Sequence, residues 1–129
     1  LINQKNSHFV IIDPNCETNL SCSLIDFSKL RQSSYSKYES MKSVAVSVND
    51  NQINFDMTTL KKDHITKMTD DLLAEHLTHN EYINLLLYEA INFSRMLPYK
   101  LQLAPENFLI YYAEMILLLN QYLEKTKET

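Results

Sequence analysis

Two histidines and a set of carboxylates near the middle of the chain are the side chains best placed to hold a metal ion. His76 and His79 stand three residues apart, Glu75 and Glu81 flank them, and two aspartates precede them at positions 70–71. The spacing differs from the zinc motif His-Glu-x-x-His, and no second cluster supplies further ligands. We therefore interpret these side chains as surface residues at a helix junction, and we predict no metal site.

The other reactive side chains also lack a catalytic pattern. Cys16 with His8 or His64 could form a thiol and base pair, but nothing in the sequence brings them together. The chain contains no glycine, which excludes the phosphate-cradling loops of nucleotide-binding proteins and the nucleophile elbow of hydrolases. We predict a protein that is not an enzyme and that has no cofactor.

A polar stretch rich in serine and tyrosine, RQSSYSKYES, covers Arg31 to Ser40. Phosphorylation there would add charge that orders or repels a partner. The composition is more typical of a plain solvated loop, and we predict a surface loop.

The strands are predicted from runs of β-branched residues and from the alternation of apolar with polar residues. The segment His8 to Asp13 has the character of a strand that ends in Asp-Pro-Asn. Apolar residues occupy every second position on both sides of Asn49-Asp50-Asn51: Val44, Val46 and Val48 before it, and Ile53, Phe55 and Met57 after it. This alternation predicts a β-hairpin. Without glycine, the left-handed turn positions fall to Asn and Asp.

Helical spacing begins after the hairpin. We predict a short helix over Leu60 to Met68 and another that Thr69 caps. Thr78 and Glu81 form a capping-box pair for a two-sided helix that Pro98 closes. The last helix begins at Pro105, which favours the first helical position, and runs to Glu124.

Composition and charge bound the class of protein. The 129 residues fit one domain, with residues 1–42 poorly defined and residues 43–129 forming a hairpin plus helices. Because the chain begins at Leu1 and has no signal-peptide pattern, we expect it to be a piece of a larger protein.

The net charge of −4 with only two arginines makes nucleic acid an unexpected partner. Two cysteines do not make a disulfide framework, so we expect an intracellular protein of the cytoplasm or nucleus, and no apolar run reaches membrane-spanning length.

The last helix is apolar around most of its circumference. Only a narrow polar stripe, at Asn107, Glu114 and Gln121, is left for water. Such a helix must be covered on more than one side, by its own domain or by another chain. The predicted partner-binding residues are Phe108, Tyr111, Tyr112, Met115, Leu118 and Leu119.

Three stretches resemble the Skp1/BTB/POZ fold family, with an elongin-C-like pattern. They are VNDNQINFDMTTLKKDHITKM (Val48 to Met68), EYINLLLYEAINF (Glu81 to Phe93) and LAPENFLIYYAEMILLL (Leu103 to Leu119). The resemblance implies a non-catalytic protein-binding module, either a homodimerising domain or an adaptor.

The sequence therefore predicts an α+β fold, in which short N-terminal strands and a β-hairpin precede a C-terminal helical cluster. The helices Glu81 to Leu97 and Pro105 to Glu124 would present apolar surface to another protein chain or to a second copy. The alternative is a small acidic inhibitor, such as an immunity protein or a phage-type antagonist, that occupies a basic target. A small hydrolase or metal enzyme using His76 and His79 is the third and least favoured hypothesis.

Overall fold

The computed structural model describes residues 2–3, 8–9 and 23–128, and over these residues the fold is mainly helical with a small content of antiparallel strand. This fits a mainly helical α+β class. No helix in the described part of the chain combines the length and the apolar character needed to cross a membrane. The elements, in chain order, are β1 (Ile2–Asn3), β2 (His8–Phe9), α1 (Ser23–Ser34), a 3-10 helix (Tyr38–Ser43), β3 (Val46–Asn49), β4 (Gln52–Phe55), a 3-10 turn (Leu60–Lys62), α2 (His64–His76), α3 (His79–Leu103), a 3-10 turn (Pro105–Asn107) and α4 (Phe108–Lys127).

The predicted hairpin is confirmed. β3 and β4 pair antiparallel, with Val46 opposite Phe55 and Val48 opposite Ile53. Asp50, in the two-residue turn, has φ 52°, a left-handed conformation that Asp tolerates better than most residues. Of the predicted strand His8 to Asp13, only β2 falls within the described residues, where it pairs with β1.

The predicted surface loop from Arg31 to Ser40 is wrong at its beginning. Helix α1 continues to Ser34, and a 3-10 helix starts at Tyr38. Arg31 and Ser36 are buried, with exposed fractions of 2% and 0%. The segment folds inward because its polar side chains find polar partners on α3, so no apolar periodicity marks the helix in the sequence.

Helix α2 is continuous where two short helices were predicted. Asp63 caps it, since its side chain accepts a hydrogen bond from the Thr66 backbone N–H. Thr69 does not cap a second helix. Its hydroxyl donates back to the carbonyl of Ile65, one turn earlier in the same helix.

Helix α3 passes through Pro98 and ends at Leu103, so the predicted end at Pro98 is also wrong. Proline lacks the N–H that would bond the preceding turn, but Pro98 is exposed and its ring meets solvent. The turn beyond it is anchored by Lys100, whose Nζ lies 4.3 Å from the ring centroid of Tyr111 and 5.0 Å from that of Tyr38. Tertiary contacts therefore outweigh the local cost of the proline.

The capping box at the start of α3 is confirmed. The Thr78 hydroxyl accepts from the backbone N–H of Glu81, and the Glu81 carboxylate accepts from the Thr78 backbone N–H. The Thr78 hydroxyl also donates to the Glu81 carboxylate at 2.7 Å, and this bond, together with the one from the Thr78 backbone N–H, lowers the pKa of Glu81 because both favour the charged form.

The apolar core lies between α3, α4, the hairpin and the 3-10 helix before it. Helix α4 packs along α3, and α1 packs on another part of α3. The buried core cluster comprises Met41, Met57, Leu86, Ala90, Phe93, Ile110, Tyr111 and Leu118. This packing determines which side of α4 faces inward.

Candidate protein-binding surface

One side of α4 is fixed against the rest of the fold. Its buried residues are Ile110, Tyr111, Ala113, Glu114 and Leu118. The Tyr111 hydroxyl also donates to the backbone carbonyl of Tyr38 at 3.3 Å. Burial on this side sets the rotation of the helix and leaves the opposite side facing outward.

The side of α4 opposite its buried residues carries an apolar row from Phe108 to Leu123. With 3.6 residues per turn, six large side chains fall within an arc of about 100°, centred about 150° from the buried residues. We call this set the α4 outer stripe: Phe108, Tyr112, Met115, Ile116, Leu119 and Leu123. From Phe108 to Leu123 the stripe is about 22 Å long at 1.5 Å per residue.

The stripe is exposed to different degrees along the helix. Leu123 is 52% exposed and Tyr112 is 38% exposed, while the other four members are half-buried. The rings of Phe108 and Tyr112 stack, with centroids 6.0 Å apart and planes 14° from parallel. Met115 and Leu119 also contact the core, so the base of the stripe is held in place. A continuous outward apolar row of this kind differs from the polar solvent face of an ordinary surface helix.

The structure separates the six predicted partner-binding residues into two groups. Four of them, Phe108, Tyr112, Met115 and Leu119, belong to the α4 outer stripe. Tyr111 and Leu118 are 1% and 2% exposed and belong to the core, so they are not available to a partner. They point inward because they share the side of α4 that packs on α3.

Sequence reasoning did not select Ile116 and Leu123 as partner-binding residues, although both are members of the stripe. The signal was present in their spacing. Leu123 lies four residues after Leu119, and Ile116 lies four residues after Tyr112, which places each pair on one face of a helix. Because the apolar circumference is so broad, the spacing alone did not show which arc faces outward.

Two smaller apolar surfaces lie elsewhere. Helix α2 exposes Ile65, Met68 and Leu72, with fractions of 57%, 56% and 40%. The end of α3 exposes Tyr99, Leu101 and Leu103, at 65%, 59% and 76%. Each of these sets has three members, and the α3 set occupies the last turns of its helix, so the α4 outer stripe is longer than either.

A buried ionic cluster fixes the helices beneath this surface. Arg31 and Ser36 both donate hydrogen bonds to the carboxylate of Glu89. Lys61 donates to Glu114 of α4 at 2.8 Å. We use the name buried ionic cluster for Arg31, Ser36, Lys61, Glu89 and Glu114. It joins α1, α3, α4 and the turn before α2.

An aromatic ring connects the two halves of this cluster. The guanidinium carbon of Arg31 lies 4.1 Å from the ring centroid of Tyr35, and Lys61 Nζ lies 5.8 Å from the same centroid. One oxygen of Glu114, Oε2, has no hydrogen-bond partner among the residues that the structure describes. Burial raises the pKa of the Glu89 carboxyl, since loss of hydration outweighs the attraction of Arg31 and the hydrogen bond from Ser36.

Paired carboxylates with a perturbed pKa are a feature of acid–base catalysis. The side chains of Glu89 and Glu114 are only 0% and 4% exposed, however, and each is paired with a cation. A substrate would reach neither carboxylate without opening the packing of α1 or α4. The buried ionic cluster therefore has a structural role, because it fixes the position of α4 and thus of the outer stripe.

The histidines considered as metal ligands lie apart from this cluster. His76 is the last residue of α2 and His79 the first of α3, and both are exposed. Among the described residues, no three His, Cys, Asp or Glu side chains form a group that could hold a metal ion. Cys16 and the side chain of His8 lie outside the described residues.

Comparisons with protein-family models, with curated proteins and with solved structures found no match to this chain.

Proposed function

We propose that this chain is a non-catalytic protein–protein interaction domain that binds another protein chain through the α4 outer stripe. The observation that carries the proposal is the apolar row on α4, in which Tyr112 and Leu123 are 38% and 52% exposed and the other members are half-buried. Large contiguous apolar surfaces of this kind are typical of binding sites. The Skp1/BTB/POZ resemblance implies the same class of function, as an adaptor or a homodimerising module.

The energetics favour a partner that covers the stripe. Burying a leucine side chain completely contributes about 1.5–3 kcal/mol, so covering the exposed half of Leu123 alone contributes about 1 kcal/mol. Tyr112 adds a large rigid ring with a hydroxyl at its tip, a combination that recurs among the strongest contacts of protein interfaces. Met115 and Leu119 need little ordering, because they already pack against the core.

The proposal can be tested by site-specific photo-cross-linking in an extract of the cells that produce the chain. A benzophenone side chain is placed at Tyr112 or Leu123 in the stripe. The matched control is Ile91, which is 44% exposed on α3 and lies outside the stripe. Far-UV circular dichroism of each variant verifies its fold.

We expect discrete protein adducts, with this chain or with another, from both stripe positions and not from Ile91. Equal adducts from all three positions would contradict a role for the stripe. Absence of adducts at Tyr112 and Leu123 in folded protein would contradict the proposed function itself.

A further inference from the structure

The end of α3 is separated from the rest of the helix by Pro98. A proline inside a helix has no N–H to donate to the carbonyl four residues earlier, here that of Ser94, and its ring crowds that carbonyl. The hydrogen bonding that joins the two parts of α3 is therefore interrupted at this point. We call residues 99–104, which comprise the end of α3 and its C-cap, the post-proline segment.

The post-proline segment buries little apolar surface. Among the described residues, the three most exposed large apolar side chains are Tyr99, Leu101 and Leu103, at 65%, 59% and 76%. Leu97, immediately before the proline, still packs against the core. Apolar packing therefore holds α3 in place up to position 97 and contributes little beyond it.

The side chain of Lys100 joins this segment to the core. Its Nζ lies 4.3 Å from the ring centroid of Tyr111 and 5.0 Å from that of Tyr38, and the two ring centroids are 5.2 Å apart. Tyr111 is buried and its hydroxyl donates to the backbone carbonyl of Tyr38, so the rings that receive the ammonium are themselves fixed. Over the described residues, no hydrogen bond, ion pair or ring contact joins another side chain of the segment to a different element.

We infer that the post-proline segment is a hinged unit that opens at Pro98 while the rest of the fold stays closed, and that the contact of Lys100 with Tyr38 and Tyr111 keeps it shut. Segments with few buried apolar contacts open locally at a lower free energy than the whole domain. In the open state the connection between α3 and α4 would lengthen from the turn Pro105–Asn107 to residues 99–107, and the two tyrosine rings would lose their cation. This inference is independent of the function proposed for the α4 outer stripe.

Amide hydrogen exchange of the full chain, followed by NMR, measures how often the segment opens. The amides of residues 101–104 report on the segment, and those of residues 86–93 report on the same helix before the proline. Lys100→Met keeps an apolar stem and removes the charge, so we expect exchange at residues 101–104 to become about tenfold faster and exchange at residues 86–93 to stay unchanged. Lys100→Arg, which keeps a cation that stacks on aromatic rings, should preserve the wild-type rates.

The matched control is Gln102→Met, which changes an exposed side chain of the same segment without touching the two rings. We expect it to leave all of these exchange rates unchanged. Equal acceleration by Lys100→Met and Gln102→Met would overturn the inference, and so would equal acceleration by Lys100→Met and Lys100→Arg. It would also be overturned if residues 101–104 were unprotected in the wild type, or if Lys100→Met accelerated residues 86–93 as much as residues 101–104.

The position of the hinge is tested with Pro98→Ala, which restores the missing N–H at an exposed site. We expect exchange at all four amides of residues 101–104 to slow by about tenfold, since the segment is then joined to α3 by a continuous helix. Fraying from the end of the helix would instead give protection that falls steadily from residue 101 to residue 104 and does not respond to Pro98→Ala. That result would overturn the assignment of a hinge to Pro98.

Discussion

The buried pair of Arg31 and Glu89 offers the sharpest test of how the domain is held together. The two side chains are 2% and 0% exposed, so neither charge is hydrated once its partner is removed. We consider Glu89→Gln, which keeps the shape of the side chain and an oxygen that can accept from Ser36. The variant removes the negative charge that compensates Arg31.

The expected cost follows from this burial. Removing one member of a buried ion pair destabilises a protein by about 3–5 kcal/mol, because the remaining charge is left uncompensated. We expect the lower part of this range, since the nearby Glu114 carboxylate and the Tyr35 ring still face the cluster. Arg31→Met should have a similar cost. The double variant should lose at least 2 kcal/mol less than the sum of the two single variants, because it leaves no lone charge.

Urea unfolding followed by far-UV circular dichroism measures these free energies of unfolding. Arg95→Met is the matched control, since Arg95 is exposed on the same helix as Glu89, and its effect should stay within about 0.5 kcal/mol. The reasoning would be refuted if Glu89→Gln cost less than about 1 kcal/mol, or if the two single costs simply added in the double variant.

Three further predictions concern other parts of the fold. The hydrogen bond from Lys37 contributes most to lowering the pKa of Asp63 from 3.8 to about 2. Because the pKa is lower in the folded state than in the unfolded state, the stabilisation by this carboxylate is complete above pH 4. It is lost as the pH falls to about 2. The difference in unfolding free energy between the wild type and Asp63→Asn should shrink over that interval, and an NMR titration midpoint near 4 would contradict this. Phe93 is fully buried, so Phe93→Ala should cost about 3–5 kcal/mol in urea unfolding, against less than about 1 kcal/mol for Ile91→Ala. Thr78→Ala removes the capping box of α3 and should cost about 1 kcal/mol in the same assay, whereas an unchanged midpoint would show that the cap is not needed.

The sequence predicted those elements that the local sequence pattern and the tertiary packing both favour. Val46 and Val48 alternate with polar residues, and Asp50 accepts the left-handed turn, so the hairpin follows from local pattern alone. The capping box of Thr78 and Glu81 similarly marks the start of α3 within two residues.

The elements that were missed depend on partners distant in sequence. Helix α1 buries Ser28 and Arg31, which form hydrogen bonds with polar residues of α3. Its sequence therefore does not show apolar residues at helical spacing. The turns beyond Pro98 persist through the contacts of Lys100 with two tyrosine rings. Neither contact has a signature in the local sequence.

The candidate surface was predicted in part for a similar reason. Helical spacing identified α4 as apolar on nearly all sides, but spacing does not state which arc the rest of the fold covers. Packing against α3 and the core turned Tyr111 and Leu118 inward, and it left Ile116 and Leu123 among the outward residues.

The buried ionic cluster also determines how the chain can be shortened. A fragment that starts at Ser43, where the sequence first becomes regular, would retain Glu89 but lose both of its donors, Arg31 and Ser36. The segment 23–42 therefore belongs to the same cooperative folding unit as the hairpin and the later helices. Removing it would leave the Glu89 carboxylate of α3 without Arg31 and Ser36, and the remaining fragment is expected to unfold.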